Sequence, residues 1–222
     1  MASLGGPNIV TSGLVLSLDA ANVKSYPGSG TTWTDLSGNG NNGTLTNSPT
    51  FSSANGGIFT FNGTNQFINC GNNSSIQITV GTISAWVRTT TPGASFRSII
   101  AKQSAWGLFF NDGILVTYDW GNAQTRTTGL NIANGIWNHT AMTFTQTVGT
   151  PSNNAIIYLN GASVLTTTIK HSNHNVNLQI AEANANQFLN GNIASAQIYN
   201  RALSATEILQ NYNGTKSRFG IS

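Results

Sequence analysis

Six acidic side chains, Asp19, Asp35, Asp112, Asp119, Glu182 and Glu207, are the whole carboxylate supply of this 222-residue chain. Cleaving a glycosidic bond generally takes two carboxylates facing each other across a cleft. No two of these acids lie within four positions of one another. Asp112 falls in an Asn-Asp-Gly turn and Glu207 in the first turn of a helix, so hydrolysis has little to work with. A calcium ion gathers about six to eight oxygens from carboxylates and carbonyls. Asp35, followed by the Ser37 to Asn42 loop, could supply several of them. The same Gly/Asn-rich stretch equally suits a turn in which Asp35 accepts local backbone hydrogen bonds. His139, His171 and His174 show no zinc spacing, and His139 reads as a packed strand residue. Sugar binding needs different chemistry: an aromatic face for the apolar side of the ring, with amides or carboxylates for its hydroxyls. Trp106, Tyr118, Asp119, Trp120 and Asn122 lie close together in sequence across one hairpin, and Trp33 is a further candidate in a long loop. The competing use of these aromatics is core packing between sheets.

The elements that would position these residues are strands. Leu14 to Leu18 opens the series, and a long polar connection from Ala20 to Ser53 follows, with Trp33, Leu36 and Leu45 available to hold it down. Ile58 to Phe61 and Gln66 to Asn69 flank Asn62-Gly63 and predict a hairpin. Thr79 to Arg88 alternates, with Ile83, Ala85 and Val87 on one face and Ser84, Trp86 and Arg88 on the other. Further strands are expected at Ser98–Ala101, Trp106–Phe110, Ile114–Tyr118, Gln124–Thr128 and Trp137–Thr145. On the third of these, Tyr118 and Trp120 share a face and Asp119 takes the other. Ala155–Leu159 and Ala162–Ile169 flank Asn160-Gly161, the clearest two-residue hairpin signal; Asn177–Ala181 and Gly191–Tyr199 complete about a dozen strands. That count at regular spacing predicts one all-β, two-sheet antiparallel jelly-roll sandwich. The single helix begins at Ser204, where Ser204-Ala-Thr-Glu207 forms a capping box, and Gly214 offers its stop. The predicted domain core runs over about 13–212, with flexible arms at both ends.

Composition narrows the function. Only 7% of residues are charged, against about 25% in an average protein, while apolar residues remain at 39%. The net charge of +3 comes from nine scattered Lys and Arg, without a basic stripe, which argues against a nucleic-acid partner. No segment approaches the roughly 18 apolar residues of a membrane span. The start of the chain reads as a strand rather than a signal peptide, so a soluble, cytoplasmically made protein is expected. Cys70, the single cysteine, cannot form an internal disulfide and is expected to be buried.

Several segments together resemble the laminin-G-like (concanavalin A-like lectin/glucanase) jelly rolls. They are Asp35-Leu-Ser-Gly-Asn-Gly-Asn-Asn-Gly43, Phe61-Asn-Gly-Thr-Asn-Gln-Phe-Ile68, Thr82-Ile-Ser-Ala-Trp-Val87, Trp137-Asn-His-Thr-Ala141, Ile157-Tyr-Leu-Asn-Gly161 and Gly191-Asn-Ile to Ile208. The run Tyr199-Asn-Arg-Ala-Leu-Ser204 followed by Glu207-Ile208 resembles the same family, and the ending Gln210 to Gly220 is similar to the endings of bacteriophage structural proteins of this fold. The resemblance implies two antiparallel sheets, ligand sites on rim loops, and in many relatives a calcium held by an Asp. Two family features are missing: the glucanase pattern Glu-x-Asp-x-x-Glu, and the acid after Gly-x-Ile of the last strand, where Ala194 stands. The expectation is therefore a non-enzymatic decoration or fibre protein of a phage virion. It would be made in the host cytoplasm and contact capsid or tail proteins, with host-surface glycans as candidate ligands. The alternative is a carbohydrate-binding module of a bacterial or phage adhesion protein, with the bacterial cell surface as the alternative location, and a glycoside hydrolase is a distant third. A homo-oligomer suits a jelly roll of this size, although no coiled coil is visible.

Overall fold

The structure, a computed structural model, describes residues 8–93, 95–145, 152–171, 174–183 and 186–222. Within them the chain forms two eight-stranded antiparallel sheets and one α-helix. The first sheet holds β1 (Leu14–Asp19), β4 (Thr50–Ser52), β5 (Ile58–Asn62), β7 (Gly81–Arg88), β12 (Asn138–Phe144), β13 (Ala155–Leu159), β14 (Ala162–Thr167) and β16 (Asn190–Tyr199). Its order is β14-β13-β12-β7-β16-β5-β4, and β1 shares the edge of β16 with β5. The second holds β2 (Thr32–Trp33), β3 (Gly43–Thr46), β6 (Phe67–Asn69), β8 (Phe96–Lys102), β9 (Trp106–Asn111), β10 (Ile114–Asp119), β11 (Gln124–Asn131) and β15 (Leu178–Ile180). Its order is β11-β10-β9-β8-β15-β6-β3-β2.

The alternation expected of β7 holds. Ile83, Ala85 and Val87 enter the layer between the sheets, while Trp86 faces away from it. Trp106 and Phe144 stack across that layer at 5.8 Å, tying the two sheets together. Asn160 and Gly161 adopt positive φ of 52° and 81° in the β13–β14 turn, as a type I′ turn requires.

Two expectations about connections are corrected. Ile58–Asn62 and Phe67–Asn69 do not pair with each other; β5 joins the first sheet and β6 the second. The Asn62 side chain accepts the N–H groups of Thr64 and Asn65 at 2.9 and 3.2 Å, so the turn carries the chain across the sandwich instead of back along one sheet. The long connection is also more ordered than its composition suggests, since it contains β2, β3 and β4. Trp33 and Leu45 are buried and anchor it, whereas Leu36 remains 37% exposed.

The C-terminal segment covers part of the outer face of the first sheet. Helix α1 (Ala205–Thr215) starts with the complete Ser204/Glu207 capping box. Gly214 lies inside the helix, and a 3₁₀ turn over Lys216–Phe219 ends at Gly220 in the left-handed conformation. Phe219 packs on Trp86 and Trp137 with centroids 4.3 and 4.7 Å apart. Arg218 pairs with Asp19 at 2.6 Å and donates to the carbonyls of Asn55 and Gly57. The C-terminal tail is therefore docked, not a free arm. Residues Asn8 to Ser12 are docked as well: the Val10 N–H donates to Asn211 at 2.8 Å, and Tyr199 Oη donates to the Val10 carbonyl at 3.0 Å. Residues 1–7 of the expected N-terminal arm lie outside the described residues.

Candidate ligand-binding site

With part of the first sheet's outer face covered by the chain ends, the aromatic clustering on the other sheet stands out. The β9–β10 hairpin turns at Asp112 and Gly113, both at positive φ. Along β9, Trp106, Leu108 and Phe110 point into the core, which leaves Phe109 outside; along β10, Leu115 points in while Val116 and Tyr118 point out. A bulge between Ser98 and Ile100 in β8 sends both Ile99 and Ile100 into the core and places Phe96 and Ala101 on the outer face.

Four rings meet there. Phe96 contacts Tyr118 at 5.7 Å and Phe109 at 5.9 Å, and Trp120 contacts the same two residues at 5.4 and 5.9 Å. All four contacts are steeply inclined, between 64° and 89°, the edge-to-face geometry that aromatic quadrupoles favour. The rings form a cup of ≈ 320 Å³ whose remaining walls, among the described residues, are Gln103 and Gln187. Gln103 Oε1 is buried and has no hydrogen-bond partner among the described residues. A second depression adjoins the cup across Trp120, with Ser104, Gly121, Lys170 and His171 among its walls.

Asp119 holds this arrangement from beneath. Its side chain is fully buried, and its oxygens accept from Asn122 N and Nδ2, Arg126 Nη2 and Lys170 N at 2.8–3.2 Å. Burial alone would raise its pKa. The donors from Asn122, Lys170 and Arg126 outweigh that and keep the carboxyl below the usual carboxylate range. The turn carrying Trp120 is thereby pinned to β11 and to the segment ending at Lys170.

The sequence-expected sugar residues therefore divide. Tyr118 and Trp120 come together in the cup. Trp106 and Trp33 are 0% exposed, with Trp106 stacked on Phe144 and Trp33 packed at 4.7 Å on Phe59. Neither has a face to offer a ligand, and both expectations are corrected. Asp119 presents no oxygen outward, and the Asn122 amide nitrogen is committed to it, so both position the site. Phe96, Phe109, Gln103 and Gln187 were missed. The alternation of Phe109 against Leu108 and Phe110 was a readable signal; the β8 bulge that aims Phe96 was not.

Asp35 does not fit a calcium site. Its Oδ1 accepts from Ser17 N and Ser37 N, and its Oδ2 from Ser37 Oγ and Asn41 N, at 2.7–3.0 Å. Four donors already fill the carboxylate, which organises the loop. Among the described residues no three of His, Cys, Asp and Glu come together as a metal site. Cys70 is buried, and burial, aided by the nearby Asp35 charge, pushes its thiol pKa up, away from reactivity. Among the described residues no helix is long and apolar enough to cross a membrane.

An antiparallel sandwich with a ligand-sized cup on one sheet defines a lectin-like protein class. The sequence model of the concanavalin A-like lectin/glucanases superfamily matches residues 61–209, well over half of the chain, and the chain belongs to that family. No curated protein sequence matches it significantly. Among solved structures it is similar to the binding domain of Paraclostridial Mosquitocidal Protein 1, at 22% identity and a TM-score of 0.68. That alignment covers 90% of this chain and 52% of the other, so the chain spans about half the length of that binding domain. Domain 4 of AbnA, a GH43 extracellular arabinanase from Geobacillus stearothermophilus solved in complex with arabinotriose, aligns at 18% identity and a TM-score of 0.67. There the alignment covers 90% of this chain and 98% of the other. Trypanosoma rangeli sialidase in complex with sialic acid aligns at 14% identity and a TM-score of 0.68, over 93% of this chain and 33% of the other. These likenesses speak to the fold.

Proposed function

We propose that this chain is a non-enzymatic glycan-binding module whose site is the cup of Phe96, Phe109, Tyr118 and Trp120. The observation that carries the reading is the four-ring cluster itself, Phe96, Phe109, Tyr118 and Trp120, walling a cup with the amide side chains of Gln103 and Gln187 beside it. The apolar face of a pyranose or furanose ring would lie on the aromatics while the side-chain amides meet its hydroxyls. A non-enzymatic role is supported by the fate of the acids: Asp19 pairs with Arg218, Asp35 and Asp119 organise loops, and Glu207 caps α1. Among the described residues no carboxylate lines the cup. On a glycan array the native protein should bind at least one sugar class, and Trp120→Ala should lower that affinity at least tenfold. Binding should persist in a chelator, because none of the described residues lining the cup is a carboxylate. Binding to no glycan, or equal binding by Trp120→Ala, would discard the reading, and measured polysaccharide hydrolysis would overturn the non-enzymatic part.

For its setting, we infer display on a bacteriophage virion as a decoration or fibre protein, in contact with capsid or tail proteins. The support is the likeness of the Gln210 to Gly220 ending to phage structural proteins, together with a charge-poor composition. The protein should co-purify with intact particles at fixed stoichiometry. Recovery on bacterial cell surfaces instead would assign it to a bacterial adhesion protein.

A further inference from the structure

A second constellation lies on the other sheet. Arg88, the last residue of β7, directs Nε and Nη2 to Asn192 Oδ1 at 3.2 and 3.1 Å. Its guanidinium lies over the Trp137 ring, 5.3 Å from the centroid. Asn192 is itself fixed, donating from Nδ2 to Thr60 Oγ1 at 2.7 Å. The cation is thus immobilised by a neutral acceptor and an aromatic face. Arg126, Arg201 and Arg218 each pair with a carboxylate; among the described residues Arg88 has no such partner. A guanidinium offers two bidentate edges. Asn192 occupies the Nε side, which leaves the Nη1/Nη2 edge with two parallel N–H groups for an anion.

Arg88 also stands where two depressions meet. One, of ≈ 320 Å³, includes Thr90, Thr91 and Asn190, and the other, of ≈ 380 Å³, includes Ile136 and Tyr212; Arg88 and Gly135 border both. The Thr90, Thr91 and Asn190 side chains are exposed, and Ile136 is 58% exposed although it borders a groove. A ligand suited to all three features carries a carboxylate for the guanidinium edge, hydroxyls for the Thr/Asn wall and an apolar ring face or acyl group for Ile136 and Tyr212. We propose that Arg88 marks a second binding site, selective for a carboxylated sugar of the uronic or sialic type. It is separate from the aromatic cup, because β7 and β8–β10 belong to different sheets.

The test compares each acid with its own methyl ester, which keeps shape and hydroxyls and removes only the charge. N-acetylneuraminic acid, glucuronic acid and their methyl esters would be titrated into the native protein by heteronuclear NMR. At least one acid should bind tenfold or more tighter than its ester and shift amides around Arg88 and Asn192. Arg88→Gln should abolish that preference. Arg88→Lys, which keeps the charge but not the parallel N–H pair, should reduce it, and Trp120→Ala should leave it intact. Equal binding of acid and ester by the native protein, or a preference that survives Arg88→Gln, overturns the proposal without reference to variant folding. A preference lost in Trp120→Ala would overturn the separateness of the two sites.

Discussion

At the residue scale, the buried carboxylate of Asp119 matters more than its distance from any ligand suggests. It accepts four hydrogen bonds from three chain segments and touches none of the cup's interior. Asp119→Ala leaves the Arg126 guanidinium and two backbone N–H groups without their acceptor, and should cost about 3–5 kcal/mol of stability. Asp119→Asn keeps one carbonyl acceptor and should cost less, about 1–3 kcal/mol. Both should weaken glycan binding, because the turn bearing Trp120 loses its anchor. Urea unfolding and array binding measured on the same samples check this: an unchanged midpoint for Asp119→Ala would show that the network contributes nothing. The residue types for the site were visible in sequence, but their direction was not. Trp106 and Tyr118 belong to neighbouring strands, and only register decides that one fills the core while the other faces out. Asp119, read as a sugar ligand, is an acceptor turned inward by the same alternation.

At the element scale, the instructive case is the C-terminal segment. Its capping box was legible because Ser204 and Glu207 stand three apart before an apolar run, and the structure forms both bonds. Arg201 adds a bidentate pair to Glu207 at 2.6 and 3.0 Å, and with the Ser204 donors it draws the Glu207 pKa down to about 2. The docking of the tail was not legible. Lys216-Ser-Arg-Phe219 looks polar in sequence, yet a 3₁₀ turn puts Phe219 against Trp86 and Trp137. The two strands that the Asn62-Gly63 turn separates into different sheets failed for a related reason: local turn chemistry fixes a bend but not the partner beyond it. Deleting Lys216 to Ser222 should therefore uncover an aromatic patch and remove the Arg218–Asp19 pair. We expect a thermal midpoint several degrees lower, roughly 3 kcal/mol by analogy with truncating one buried aromatic, and new binding of a hydrophobic dye. Phe219→Ala should reproduce most of the loss. A deletion as stable as the full chain would mean that the tail packs without stabilising.

For the whole molecule, two sheets share one core but have unlike outer faces. Strand-level alternation predicted the core, and the family fold followed from it. How much of each outer face stays open depends on where the chain ends come to rest, a non-local outcome that no window of sequence contains. The side covered by the C-terminal segment also holds a titratable group. His139 lies between Trp86 and Tyr212, with centroids 5.4 and 6.1 Å away, and burial pushes its pKa down to about 4. Folded His139 is thus neutral at pH values where the unfolded chain, with an ordinary histidine near pH 6.5, binds a proton. The unfolded state gains protons first as the pH falls, so the contribution of neutral His139 is complete above about pH 6.5. It is lost progressively down to about pH 4, and amounts to about 3 kcal/mol over that window. His171, whose pKa burial also lowers against its hydrogen bonds to Thr79 and Ile169, acts in the same direction. Below about pH 4 the folded carboxylates of Asp119 and Glu207, both held low, extend the decline as the unfolded chain's acids protonate first. A plot of unfolding free energy against pH should be flat near neutrality, fall from about pH 6.5, and fall further below about pH 4. His139→Gln should flatten most of the first decline and leave the second. If the native protein holds full stability at pH 5, burial of His139 does not govern its titration.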